Sequence, residues 1–395
     1  MQYKKQLVQY FVNKYTLIIF AIRKNERLLL HILYDSHVNA NASLRCFRNL
    51  LLYINMKRHI YRNDGGFSFE AGGSVSTLQV GYHTTPYEYK KGMKVIWICH
   101  ALTADSDAGD WWADLVGPGK LFDTDKYFVV CGNMIGSCYG SSGPSSIDPK
   151  TGKPYYFTFP KVTVRDIVNG LDEVRRHIGI DKIDFLVGAS IGGFQAFEWS
   201  VMHPEIIGRA VYIATTSRIS PWASALEESQ RMALEADQTF RECASLQGGR
   251  KGLECARSIA MISYRCDDGY NLKQPELSDD TLFADRACSY QRYQGAKLAD
   301  RFDAYSYYYL ACSVSSNNLG RGRGGETAAL GTIKMKTDLI AIDSDILFPP
   351  HEMEKIAERM PNATYHVITS HFGHDGFLLE TKQLEQIIRP IVNEL

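Results

Sequence analysis

The 395-residue chain has no net charge excess, no close cysteine pair and no apolar run long enough to cross a bilayer. Lys+Arg and Asp+Glu both number 44, so the clustered basic surplus that nucleic acid or an anionic membrane usually selects is missing, and neither partner is expected. The nine cysteines are scattered and odd in number, with no CxxC pair. That argues against a disulfide framework and against a structural zinc site; reduced thiols, no metal and a cytoplasmic setting are expected. The early stretch "YTLIIFAI", between Lys14 and Arg23, is eight residues long, whereas a transmembrane helix needs about 20. No small-residue cleavage site follows it, which also disfavours a signal peptide. Internal repeats and low-complexity linkers are lacking too.

The text changes at Met56. "MKRHIYRNDGGFSFEAGGSVSTLQVGYHT" reads as short strands with Gly-rich turns. Met56 is therefore expected to be the true start, with residues 1–55 a non-native or flexible extension; the competing reading is an amphipathic helix that packs on the body. From residue 93 the pattern is α/β. "KVIWICHAL", "YFVVCGNMIG", "KIDFLVGAS" and "RAVYIATTS" are apolar runs of the kind buried on both faces of a parallel sheet. Between them, "VTVRDIVNGLDEVRRHIG" sets Val164, Ile167, Val168, Leu171 and Val174 on one helical side and ends at a glycine. Residues 220–330 break this alternation with long helical stretches, a Tyr-rich run "FDAYSYYYLACS" and a loop "NLGRGRGGE". The organisation expected is a core over 56–219, a helical lid insertion over 220–330, and the rest of the core over 331–395, closed by a helix from Leu384. The fold class is α/β, with a mostly parallel central sheet.

Chemistry is concentrated at three places. Gly188-Ala189-Ser190-Ile191-Gly192 is a G-x-S-x-G sequence with a strand before it and a helix after it. That is the context of a nucleophile elbow, in which the glycines let the chain turn sharply and the helix N–H groups face developing negative charge. A serine hydroxyl needs a base. Among eleven histidines, His374 in "SHFGHDGFLLE" follows a late strand and is flanked by Gly373; His371 is its nearest competitor. The orienting carboxylate is Asp343 or Asp345 in "LIAIDSDILFPP"; two positions apart in an extended segment they face one side, so periodicity leaves both open. Serine, aspartate, histidine is the chain order of the α/β-hydrolases. The elbow mimic at Gly136-Ser137-Cys138-Tyr139-Gly140 leads into turn formers rather than a helix, which speaks against Cys138 as nucleophile. The arginines between Gly320 and Gly325 suit either a phosphate contact or a solvated turn.

At these residues the chain resembles the homoserine O-acetyltransferase family, acyltransferases with the α/β-hydrolase fold. "CHALTADSDAGDWW", "FDTDKYFVVCGN", "GSCYGSSGPSSIDPKTGKPY", "YQGAKLADRFDAYSYYYL", "DSDILFPP" and "GHDGFLLE" follow one another as that family's blocks do, from about Met56 to the C-terminus. Ala189 and Ile191 stand where the family more often has Gly and Met or Phe. The resemblance implies Ser190, Asp345 and His374 as the triad, and the backbone N–H groups of Leu102 and Ile191 as the oxyanion hole. It implies Arg257, in "GLECAR", and Asp375 as contacts for the amino-acid substrate. It further implies acetyl-CoA as co-substrate with no bound cofactor, L-homoserine as acceptor, a role in methionine synthesis, and a homodimer. The alternatives it leaves are a succinyl donor, L-serine as acceptor, and an ester or thioester hydrolase; a binding protein with a relic site is disfavoured by the intact triad.

Overall fold

The computed structural model describes residues 56–395, so the expectation for residues 1–55 lies outside the described residues. The sheet is built from the apolar runs. Val95–Cys99 (β5), Phe128–Gly132 (β6) and Ile183–Ala189 (β7) are buried at every position, which is what residues covered by packing on both faces require. Ahead of them come Lys57–Asn63 (β1), Phe67–Ser68 (β2), Ser74–Val75 (β3) and Leu78–Thr84 (β4); after them come Ile207–Ile213 (β8), Lys336–Ile342 (β9) and Ala363–Ile368 (β10). Among the described residues, eight strands form one sheet in the order β1-β4-β6-β5-β7-β8-β9-β10. It is antiparallel over β1, β4 and β6 and parallel from β6 to β10. The pair β2 and β3 makes a separate small hairpin.

Side chains alternate across this sheet into two apolar cores. Trp97, Val130 and Leu186 enter one, with the helices Val164–Ile178 and Ile191–Met202; Ile96, Ile98, Phe185 and Val187 enter the other, with Leu384, Ile388 and Ile391 of the helix Thr381–Val392. The helix Val164–Ile178 ends at the glycine its sequence marks, and its start is capped as well. Thr163 and Asp166 form a reciprocal capping box, and Gly179 closes it at φ 84°.

Between β8 and β9 the described residues form seven helices and no strand. The Tyr-rich run becomes the helix Ala304–Ser315, and three of its four tyrosines, Tyr305, Tyr307 and Tyr309, are buried with their hydroxyls satisfied: Tyr305 donates to the Phe240 carbonyl at 3.0 Å, Tyr307 to Gln230 Oε1 at 2.5 Å and Tyr309 to the Phe159 carbonyl at 2.6 Å. Burial of a phenol requires such a partner. The arginine loop is a turn exposed at Arg321, Gly322, Gly324 and Gly325, as the solvated-turn reading has it, but its arginines are paired. Arg321 bonds Glu70 at 2.6 Å and Arg323 bonds Glu198 at 3.0 Å, with Arg165 bridging both carboxylates. The Arg321 hydrogen bond holds Glu70 at about 2, well below a free glutamate. These guanidinium groups are therefore each paired with a carboxylate of the protein rather than left free for a phosphate.

Register puts the functional loops side by side. Cys99 at the end of β5 lies opposite Gly188 near the end of β7, and Ile342 at the end of β9 lies opposite Ile368 at the end of β10. Loops after parallel strands emerge at the carboxyl edge, where open α/β sheets form their clefts.

Candidate active site

Ser190 occupies the turn between β7 and the helix Ile191–Met202, with φ 57° and ψ −129°. Such a conformation costs a residue with a Cβ roughly 1–3 kcal/mol and persists only where the surroundings impose it. Two bonds do so here: Ser190 N–H donates to the Ile213 carbonyl at 3.0 Å, and Thr215 Oγ1 donates to the Ser190 carbonyl at 2.7 Å. The glycines make the turn physically possible. A Cβ on Gly188 would stand 2.1 Å from the Gly192 carbonyl oxygen, one on Gly192 would stand 2.1 Å from that of Cys99, and one on Gly193 would stand 2.4 Å from Thr215 Oγ1. Gly192→Ala must therefore push the elbow helix away from β5. It should lower stability by roughly 1–3 kcal/mol and slow reaction at Ser190, as read by thermal denaturation and by active-site acylation; an unshifted melting temperature would contradict this packing.

The three separated residues converge. His374 Nδ1 is 2.7 Å from Asp345 Oδ2, and His374 Nε2 is 2.8 Å from Ser190 Oγ. A carboxylate only accepts, so Nδ1 carries the proton and Nε2 is left to accept from the serine hydroxyl. Asp345 and His374 are both buried. Asp345 is itself fixed by the backbone, since its Oδ1 accepts from Leu347 N–H at 2.8 Å and Phe348 N–H at 3.0 Å. Burial disfavours the imidazolium. Asp345 outweighs that, helped by Asp375 and Glu227, so His374 titrates above an ordinary imidazole. Phe348, Phe377 and Tyr264 place their rings 5.3, 5.5 and 5.8 Å from that of His374.

The competitors separate for structural reasons. β9 ends at Ile342, so Asp343 and Asp345 leave an extended strand for a turn and do not share a face. Asp343 is exposed and accepts from Ser370 N–H at 3.0 Å, tying together the loops after β9 and β10. His371 is exposed, its Nδ1 3.9 Å from Asp268. Burial pushes the Cys138 thiol up to about 12, and the residue lies among turns.

The serine opens into a cavity of about 540 Å³ whose lining includes Leu102, Arg257, Tyr264, His374 and Asp375. Arg257 and Tyr264 come from the helix Arg250–Tyr264, two turns apart on one face, with the guanidinium 5.3 Å from the Tyr264 ring centroid. Arg257 Nε is buried without a hydrogen-bond partner, and among the described residues no carboxylate pairs with this guanidinium. Asp375 does have a neighbour that the sequence did not reveal: Arg265 Nε lies 3.0 Å from its Oδ2, off line for a hydrogen bond. Burial raises the Asp375 carboxyl above its usual range, although Arg265, Arg257 and His374 oppose this. Tyr264 was legible in principle, seven positions after Arg257; Arg265 had no such signal.

Leu102 lies on the loop after β5, and Ile191 is the first residue of the elbow helix. A first-turn N–H has no intrahelical acceptor and is free for a ligand. Chemically the arrangement suits acyl transfer through a serine, with an unpaired cation placed to receive a carboxylate. Among the described residues no cluster of side chains could hold a metal ion, and no helix is long and apolar enough to cross a membrane.

Residues 94–381 match the family described as alpha/beta hydrolase fold. A homoserine O-acetyltransferase of Cyclobacterium marinum is 42% identical over 86% of this chain and 96% of its own length. One of Chlorobaculum parvum is 41% identical over 81% and 90%. Among solved structures, the homoserine O-acetyltransferase of Staphylococcus aureus superimposes with a TM-score of 0.70 at 28% identity, covering 85% of this chain and 96% of that one. Esterase E22 also superimposes, with a TM-score of 0.75 at 23% identity over 85% of this chain and 100% of its own, a likeness of fold alone.

Proposed function

Because the chain belongs to the homoserine O-acetyltransferases of the α/β-hydrolase fold, we propose that it moves the acetyl group of acetyl-CoA to the side-chain hydroxyl of L-homoserine by way of acetyl-Ser190. His374 Nε2 takes the hydroxyl proton as Ser190 Oγ attacks the thioester carbonyl, and Asp345 stabilises the imidazolium that forms. The N–H groups of Leu102 and Ile191 receive the developing oxyanion, each worth roughly 3–4 kcal/mol in such sites. The C–S bond breaks, His374 returns the proton to the departing sulfur, and CoA leaves. The homoserine hydroxyl then repeats the cycle against the acyl-serine, giving O-acetyl-L-homoserine for methionine synthesis. The enzyme works in the cytoplasm as a homodimer; the dimer is supported by Leu277, Leu282 and Phe283, exposed in the connection between the helices Asp267–Lys273 and Arg286–Ala299.

The observation that carries the acceptor assignment is Arg257, a guanidinium without a carboxylate at the wall of the serine's own cavity. A forked cation facing the cavity, with its Nε buried and unpartnered, calls for an anion, and an α-carboxylate fits it. Asp375, on the same wall, suits the α-ammonium. Arg257→Leu should therefore lower kcat/KM for homoserine about 10- to 100-fold, the worth of hydrogen bonds to a charged group. The burst of acetylation by acetyl-CoA should be unchanged, because the donor does not use that contact. An unaltered homoserine dependence would contradict the assignment.

The function itself is tested by offering acetyl-CoA or succinyl-CoA with L-homoserine, L-serine or no acceptor. Transfer should be fastest for acetyl-CoA with L-homoserine and follow ping-pong kinetics. Free acetate released at the same rate without homoserine would make the protein a hydrolase.

A further inference from the structure

The two peptide groups assigned to the oxyanion hole belong to separate segments, and a single buried side chain bridges those segments. Gln195, fully buried on the elbow helix, donates from Nε2 to the His100 carbonyl at 3.2 Å and to the Ile191 carbonyl at 3.3 Å. His100 begins the loop that carries Leu102; Ile191 carries the other donor. The amide orientation is dictated, because only its NH₂ can satisfy two carbonyls. Its Oε1 is left buried and without a partner. An apolar side chain of the same length would avoid that cost, so the stability of the helix is not what calls for an amide here.

His100 completes the frame. It is fully buried, and its Nε2 accepts the Met134 N–H at 3.2 Å. The ring proton must then sit on Nδ1, which donates to the Ala101 carbonyl at 2.9 Å. That carbonyl belongs to the same planar peptide unit as the Leu102 N–H, so holding one end aims the other. Burial lowers the His100 pKa, which keeps this neutral tautomer in place. We propose that Gln195 and His100 are positioning residues that set the separation and direction of the two oxyanion donors. This rests on the acyl-serine reading above. Neither residue touches substrate; His100 acts through the peptide that carries the Leu102 N–H, and Gln195 through the His100 and Ile191 carbonyls, each one peptide unit from a donor.

The test is pre-steady-state acylation of Ser190 by p-nitrophenyl acetate and by its thionoester, in which sulfur replaces the carbonyl oxygen and a thioacetyl group is transferred. Neither probe depends on which acceptor the enzyme uses. The wild type should prefer the oxo ester strongly, because sulfur is a poor acceptor for the hole. In Gln195→Met the oxo-ester rate should fall about tenfold or more, with the thionoester rate little changed, so the preference collapses. A folded Gln195→Met that keeps the wild-type rate, or that slows both esters equally, would overturn the proposal. The His100 pair gives an independent arm. His100→Asn keeps a donor near the Nδ1 position, and His100→Gln keeps only an acceptor near Nε2. The Asn variant should retain at least about ten times more oxo-ester preference than the Gln variant, and equal losses would again refute it. Absence of any burst in the wild type would count instead against Ser190 as nucleophile.

Discussion

Ser190→Ala should form no acyl-enzyme and should transfer acetyl groups about 10,000-fold or more slowly than the wild type, the scale on which a serine nucleophile matters. The reason is geometric. Among the described residues, the Ser190 hydroxyl is the group hydrogen-bonded to His374 Nε2, at 2.8 Å, and it lines the cavity. The Cys138 thiol is held far from its ionised form. Alanine keeps the Cβ that the strained φ of 57° already accommodates, so the fold and the binding of acetyl-CoA should survive. Trapping of a radiolabelled acetyl group on this variant would show that another residue carries it.

The second large effect concerns Asp345→Asn, expected to lower kcat about 10,000-fold by analogy with the loss of a triad carboxylate. The asparagine oxygen can still accept the Leu347 and Phe348 N–H groups, so the turn is preserved. Its NH₂, however, faces His374 Nδ1 where an acceptor stood. The imidazole must then move its proton to Nε2, and an N–H cannot take a proton from Ser190. The pH profile should change as well. In the wild type His374 titrates above an ordinary imidazole because Asp345 outweighs burial. As general base it must be neutral, so acylation rises with pH through that raised value and levels off above it. Without the Asp345 charge, burial dominates and the residual activity should show its acid limb at lower pH. A limb that stays put in the variant would mean that a different group titrates.

The parts of this site that could be read in the sequence are those set by local pattern. "KVIWIC" and "DFLVGAS" announce β5 and β7 because residues buried on two faces must be apolar in succession. Ser190 is legible because only small residues tolerate the backbone approaches at Gly188 and Gly192. His374 is legible from the glycine and strand around it. Legibility fails where a decision is tertiary. Asp343 and Asp345 looked equivalent because nothing in "AIDSDIL" shows that the strand stops at Ile342, after which one carboxylate turns outward and the other inward. The arginines between Gly320 and Gly325 looked free because their partners, Glu70 and Glu198, lie more than a hundred positions away. Arg265 beside Asp375 and Gln195 between two loops were invisible for the same reason: each contact joins segments that meet only once the sheet has formed.

The account stands on an acetyl group that pauses on Ser190 between donor and acceptor. Wild-type protein mixed with acetyl-CoA in the absence of homoserine, quenched within the first turnover, digested and examined by mass spectrometry, addresses this directly. The peptide that contains Ser190 should carry one acetyl group, and addition of L-homoserine before the quench should discharge it. Rapid formation of O-acetyl-homoserine with that peptide never acetylated, or with the acetyl group on another residue, would contradict it.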